Sequence, residues 1–116
     1  MCTAMRMDVW TSPTGRTAVV SPAGELDIAN AVELRRALTA AVEQPGVRLV
    51  VVDLQAATFI DSTILGVLVG AVRRGSRRAV QVVLTAPRSQ VARTISLTGL
   101  DHLLPGQERR RLRSVV

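Results

Sequence analysis

Leu49-Val50-Val51-Val52 is an unbroken aliphatic run between the breaker pair Pro45-Gly46 and the polar Asp53, and it constrains the fold more than any other segment. A run so short and so rich in β-branched side chains reads as a strand, because helices need greater length and a 3.6-residue period. Its continuous apolar character suits a central strand covered on both faces. Only Trp10 and Phe59 are aromatic, so Val, Leu, Ile and Ala must do the packing around it. The chain has 116 residues, 47% of them hydrophobic, which is enough for one domain with a real core.

Gly and Pro divide the remainder into short elements. Residues 6–11 and 17–22 read as strands joined by the turn Ser12-Pro13-Thr14-Gly15, with Gly24-Glu25-Leu26-Asp27 as a bend. Ala31, Leu34, Leu38, Ala41 and Val42 recur at helical spacing and predict a helix over about 30–43. Asn30 and Glu33 have the spacing of a capping box, and Pro45-Gly46 ends the helix. A strand is expected over 47–54, a helix over 62–74 stopping at Gly75, and a strand over 80–84. A third helix is expected over 87–98, with Pro87 near its start, Gly99 just past its end and Leu100 closing the cap. Residues 101–105 leave room for a short last strand, and 107–113 for a frayed or short helix. The β-β-α-β-α-β-α order implies an α/β fold with a mostly parallel sheet. One domain over 1–106 and a basic tail over 107–116 are the expected organisation.

Several function classes are excluded or disfavoured. Cys2 is the only cysteine, so no internal disulfide forms, and the chain reads as a cytoplasmic protein of a reducing compartment. Cys2 and the single histidine, His102, cannot supply the usual zinc ligand set. No secretory signal is visible in the first residues, and the longest apolar stretch, 64–72, falls far short of the ~20 residues that span a bilayer. The sequence has no lysine, hence no P-loop, and no histidine motif beside a serine, so neither ATP hydrolysis nor a Ser-His-Asp mechanism is supported. No enzyme activity and no cofactor are expected.

Charge is uneven. All 15 basic residues are arginine; residues 1–58 hold five against six acids, and residues 59–116 hold ten against three. This asymmetry fits a nucleic-acid or acidic-partner face, or equally a solvated arginine-rich surface. The tail, with Arg109-Arg110-Arg111 and Arg113, has no interleaved aromatics for base stacking, and direct nucleic-acid binding is not expected.

The segment Phe59-Ile60-Asp61-Ser62-Thr63-Ile64-Leu65-Gly66 is the most informative for function. It places Asp and Ser where a buried strand gives way to an apolar helix. Either side chain suits the N-cap, and the same free N–H groups favour an anion. A phosphate on Ser62 would be tolerated by the fold while adding about −1.5 to −2 charges to its surface. Cap and phosphoswitch are both open on local chemistry alone. The helix that follows carries Ile64, Leu65, Val67, Leu68, Val69, Ala71 and Val72 on nearly all its faces, so some apolar surface should remain exposed. Gly66 and Gly70 form a small-residue notch that suggests close approach of the sheet or a partner.

Gly24-Glu25-Leu26-Asp27, Val52-Asp53-Leu54, Phe59-Ile60-Asp61-Ser62-Thr63 with Leu65-Gly66, and Leu97-Thr98-Gly99-Leu100 resemble, in order and spacing, the motifs of STAS-domain anti-sigma factor antagonists. The likeness runs from about residue 8 to residue 104. It implies a mixed, mostly parallel sheet of four to five strands with helices largely on one face. It also implies a partner-switching cycle. The unphosphorylated protein binds an anti-sigma factor that is a serine kinase of the histidine-kinase-like ATPase fold, which releases a sigma factor in a stress response. Phosphorylation then ends binding, and a PP2C-type phosphatase resets the switch. Ser62 matches the phosphoacceptor, Asp61 the flanking acid, Thr63 the second hydroxyl, and Asp27 an acid of the docking surface; Ile64 and Leu65 continue the contact segment. Ile64 stands where the family usually has glycine, and its branched bulk is expected to narrow the approach of a kinase loop. A STAS scaffold or adaptor in a stress-signalling or lipid-transport complex, with no phosphorylation, is the alternative.

Overall fold

The computed structural model describes residues 6–99. In chain order these form β1 (Arg6–Thr11), β2 (Thr17–Leu26), α1 (Ala31–Glu43), β3 (Leu49–Asp53), β4 (Ala57–Ile60), α2 (Ser62–Arg77), β5 (Gln81–Thr85) and α3 (Ser89–Leu97). Four strands lie in the order β1-β2-β3-β5, and β4 pairs with the far end of β2. Only β1 is antiparallel to its neighbour; the β2–β3, β3–β5 and β2–β4 pairs are parallel. The mostly parallel sheet expected from the alternating elements is therefore present.

Ala18 and Val20 of β2, Val50 and Val52 of β3, and Val82 and Leu84 of β5 are buried. They alternate with Val19, Val51 and Val83, which are half-buried and lie in register across the three strands. Successive side chains of a strand point to opposite faces, so one face carries the core and the other is partly open. α1 and α2 pack on each other, α1 against β2 and β3, and α2 against β5. Their Leu34, Leu38 and Leu68 are buried, and each such side chain contributes about 1.5–3 kcal/mol. This one-sided cover corrects the reading of residues 49–52 as buried on both faces: Leu49 and Val51 are only half-buried.

Four local expectations differ from the structure. First, β2 does not stop at residue 22. Gly24 adopts a φ of 95°, donates its N–H to Ala56 O at 2.9 Å, and precedes a register shift between Gly24 and Glu25. This bulge, which a side chain would strain, lets β2 leave β3 and continue beside β4. Secondly, β4 was not legible as a strand, because its four residues show a buried-exposed-exposed-buried pattern with no alternation. Thirdly, α2 runs through Gly75 to Arg77. Gly75 is a close-approach site, where a Cβ would lie 2.5 Å from Val80 O and 2.8 Å from a Val82 methyl. Ala79, at φ 57°, takes the left-handed position after the helix. Fourthly, the sheet does not approach Gly66 and Gly70 closely, since a Cβ on either meets nothing within 4 Å. Leu100, the strand expected over 101–105, the tail and its boundary at 106, and Cys2 and His102 lie outside the described residues.

Candidate functional site

The C-terminal ends of three parallel strands each carry an aspartate: Asp27 follows β2, Asp53 ends β3 and Asp61 follows β4. Each uses Oδ1 to accept a backbone N–H a few residues on. Ala29 N–H donates to Asp27 at 2.9 Å, Gln55 N–H to Asp53 at 3.0 Å, and Ile64 N–H to Asp61 at 3.0 Å. Short Asx-type bonds of this kind fix the loop that leaves a strand. The register partners Leu26 and Ile60 place Asp27 and Asp61 at adjacent strand ends, although 34 positions separate them in sequence.

Asp61 is the N-cap of α2. Its backbone is extended, with φ −107° and ψ −177°, as an N-cap requires. Oδ1 serves the Ile64 N–H, and the Asp61 carbonyl accepts from Leu65 N–H at 3.1 Å. The N–H groups of Ser62 and Thr63, the first two helical residues, have no intrahelical acceptor. Both side chains are exposed. Capping is thus the task of Asp61, and the Ser62 hydroxyl is left over at the positive end of a helix.

Asp27 is held differently. Asn30 does not form the expected capping box; no side-chain cap bond is made, and its φ and ψ of −118° and 11° are not those of a capping residue. Its side chain points back instead. Oδ1 accepts from Asp27 N–H at 3.0 Å, and Nδ2 donates to Glu25 O at 2.9 Å. Asn30 therefore locks the β2–α1 turn around Asp27. The neighbouring Ile28 and Val32 are exposed at 74% and 49%, and Phe59, which pairs with Glu25 across β2 and β4, at 37%.

The expected contact residues do not all share this surface. Asp27 and Asp61 are half-buried at its edge, and Ser62 and Thr63 stand in solvent. Ile64 is 0% exposed and Leu65 6%. A helix start that enters the core must turn its third and fourth residues inward, so these two side chains offer no outer surface. For the same reason Ile64 does not narrow an approach to Ser62, contrary to expectation. Val67, Val69 and Val72 of α2 are only partly buried, in line with expectation, and Val9, Trp10 and Leu97 are exposed on other elements, but the exposed apolar groups on the elements that carry Asp27 and Asp61 are Ile28, Val32 and Phe59. The sequence pattern hid them, since Ile28 and Val32 flank the α1 core stripe and Phe59 sits in an unrecognised strand. Among the described residues, no cluster of three or more His, Cys, Asp or Glu could hold a metal ion, and no helix is long and apolar enough to cross a membrane.

Comparison with known proteins agrees with this fold. The family model of the STAS domain matches residues 11–113. An anti-sigma-B factor antagonist of Staphylococcus aureus is 28% identical over 100 residues, covering 86% of this chain and 92% of that protein. The crystal structure of an anti-sigma factor antagonist from Mycobacterium paratuberculosis is 28% identical, with 95% of each chain covered and a TM-score of 0.73. The phosphorylated form of the Bacillus cell fate determinant SpoIIAA shares the fold, with a TM-score of 0.66 at 22% identity over 97% of this chain and 100% of that one. An exposed Ser-Thr pair on a capped helix, beside aspartates at the ends of parallel strands, thus sits on a fold with a family attached: the chain belongs to the STAS domain family.

Proposed function

We propose that this STAS domain is an anti-sigma factor antagonist whose binding is switched by phosphorylation of Ser62. One observation carries the reading. Asp61 caps α2, so the Ser62 hydroxyl is exposed and has no structural duty. A phosphoacceptor needs that freedom, and the unshared N–H groups of the first helical turn can receive the new charge. In the proposed cycle the unphosphorylated surface, formed by Asp27, Ile28, Val32, Asp61, Ser62 and Thr63, binds an anti-sigma factor and releases its sigma factor. The anti-sigma factor is a serine kinase of the histidine-kinase-like ATPase fold. Ser62 Oγ attacks the γ-phosphorus of its ATP, the bond to the β–γ bridging oxygen breaks, ADP leaves, and the hydroxyl proton passes to a base on the kinase. The added dianion beside Asp27 and Asp61, next to exposed apolar groups, then opposes rebinding by like-charge repulsion and desolvation cost. A PP2C-type phosphatase hydrolyses the ester and restores the serine.

The test is incubation with candidate anti-sigma kinases and ATP, with mass spectrometry of the product and binding measured for Ser62→Asp and Ser62→Ala. Phosphate on Ser62, with binding lost in Ser62→Asp and kept in Ser62→Ala, is the expected result. A kinase that binds tightly yet leaves Ser62 unmodified, together with unchanged binding by Ser62→Asp, would remove the switch and leave a scaffold.

A further inference from the structure

The end of the sheet opposite Ser62 is basic. β2 begins after Arg16, β3 after Arg48, and α2 ends at Arg77-Arg78 just before β5. The backbone ties the starts of these strands together. Arg16 O accepts from Arg48 N–H at 2.7 Å and from Leu49 N–H at 3.1 Å, and Arg48 O accepts from Gln81 N–H at 2.9 Å. Arg16, Arg48, Arg77 and Arg78 are all exposed. Arg48 and Arg78 line one cleft of about 440 Å³ with Glu43, Gly46, Val47 and Val80. Arg73 and Arg74 extend the positive surface along α2, and Arg74 is held there by a 3.1 Å bond from its guanidinium to Thr39 Oγ1 on α1. Glu25, Asp27 and Asp53 lie at the other ends of β2 and β3, with Asp61 at the end of the neighbouring β4.

We infer that this basic cleft is a second docking surface, and that its occupant is a carboxylate-rich segment of a partner protein. Guanidinium groups pair with carboxylates in a two-point geometry, and two arginines on one cleft can take successive acidic side chains. The cleft volume is too large for one ion, given a share of ~30 Å³ per water in the liquid, and suits side chains. A nucleic-acid backbone fits less well. It offers acceptors only, and would meet the Glu43 carboxylate, whereas a peptide brings N–H donors of its own. Neither Trp10 nor Phe59 lines the cleft to stack a base. A lipid surface would be held by the arginines alone, since Val42, Val47 and Val80 at this end are buried and leave no apolar group to insert.

The two poles act independently. A five-residue strand spans ~17 Å, about twice the ~8 Å Debye length at physiological salt. An anion added at Ser62 is therefore largely screened at Arg48 and Arg78, and both surfaces can be occupied together.

Fluorescence anisotropy with the intact chain tests this, using a labelled oligoglutamate peptide, an oligoglutamine peptide of equal length and a short DNA duplex across a salt series. Oligoglutamate should bind at low salt, weaken as salt rises, and exceed both other probes. Arg48→Glu with Arg78→Glu should weaken it at least about tenfold, and Arg48→Gln with Arg78→Gln should weaken it less. Ser62→Asp should leave it unchanged, whether or not Ser62 is a switch. Arg6→Glu with Arg93→Glu makes the same change in net charge away from the cleft and should leave affinity within about twofold. Absence of oligoglutamate binding, tighter binding of the duplex, or equal loss in the control pair overturns the proposal.

Discussion

Leu26 and Ile60 are partners in the parallel register of β2 and β4, and the residue after each is an aspartate. Both apolar residues are buried, at 0% and 2% exposure, so the chain emerges from the core at the same level on two neighbouring strands. Hydrophobic packing thereby sets the level of Asp27 and Asp61, and their own bonds to Asn30, Ala29 and Ile64 then fix the turns that follow. The Gly24 bulge is what makes this possible, because without it β2 would have no strand beside Glu25 and Leu26.

Asp61→Ala removes the side chain that caps the start of α2. Loss of an N-cap costs roughly 1 kcal/mol, and the extended backbone at Asp61 is one that Asn or Ser also adopts. Urea unfolding should show Asp61→Ala destabilised by about that amount, with Asp61→Asn and Asp61→Ser retaining most of the stability. Equal stability for all three variants would mean that the cap contributes nothing.

Asn30 gives a sharper test of the β2–α1 turn, because it acts as acceptor and donor at once. Asn30→Ala loses the bonds to Asp27 N–H and Glu25 O, for an expected cost of about 1–2 kcal/mol. Asn30→Asp keeps the acceptor and loses the donor, so it should fall between wild type and alanine. If Asn30→Asp proved worse than Asn30→Ala, repulsion from the Asp27 carboxylate would outweigh the retained bond.

The glycines of α2 separate cleanly by environment. A Cβ at Gly75 meets Val80 O and Val82 inside the normal contact distance, and the carbonyl is backbone that cannot move aside alone. Gly75→Ala should cost at least ~1–3 kcal/mol through overpacking. Gly66→Ala and Gly70→Ala enter open space and should each add up to ~1 kcal/mol through helix propensity. Thermal unfolding of the three variants would show one fall and two rises. Destabilisation by Gly66→Ala would indicate a packing role that the open surroundings do not suggest.

Much of the fold was legible because periodicity and packing agreed. Leu34, Leu38, Ala41 and Val42 marked α1, and the Val-rich runs marked β3 and β5. The end of β2 and all of β4 were not legible, since their pairing depends on each other across 34 positions and on one glycine of positive φ. At the candidate site, Asp27, Asp61 and Ser62 could be named from motifs, but local sequence could not assign the cap to Asp61 rather than Ser62. Ile64 and Leu65 looked available because sequence alone does not say which way the first turn of an apolar helix faces. Ile28, Val32 and Phe59 escaped notice for the converse reason: exposure of an apolar residue is a property of its surroundings.

Ser62 offers a prediction in which folding and binding should move in opposite directions. Its side chain is exposed and at the first position of α2, where free N–H groups and the helix dipole favour negative charge. Ser62→Asp should therefore raise stability by about 0.3–1 kcal/mol at low ionic strength, with the gain shrinking as salt screens it. Ser62→Ala should change stability little, because Asp61 rather than Ser62 satisfies the Ile64 N–H. In the proposed switch the same Ser62→Asp variant loses the anti-sigma factor, so a more stable fold binds less well. Urea unfolding at two salt concentrations, paired with a binding measurement, reads both effects on one sample. A fall in stability of more than about 1 kcal/mol for Ser62→Asp, at either salt, would show that the helix start does not accept an anion and would take away the physical basis for placing a phosphate there.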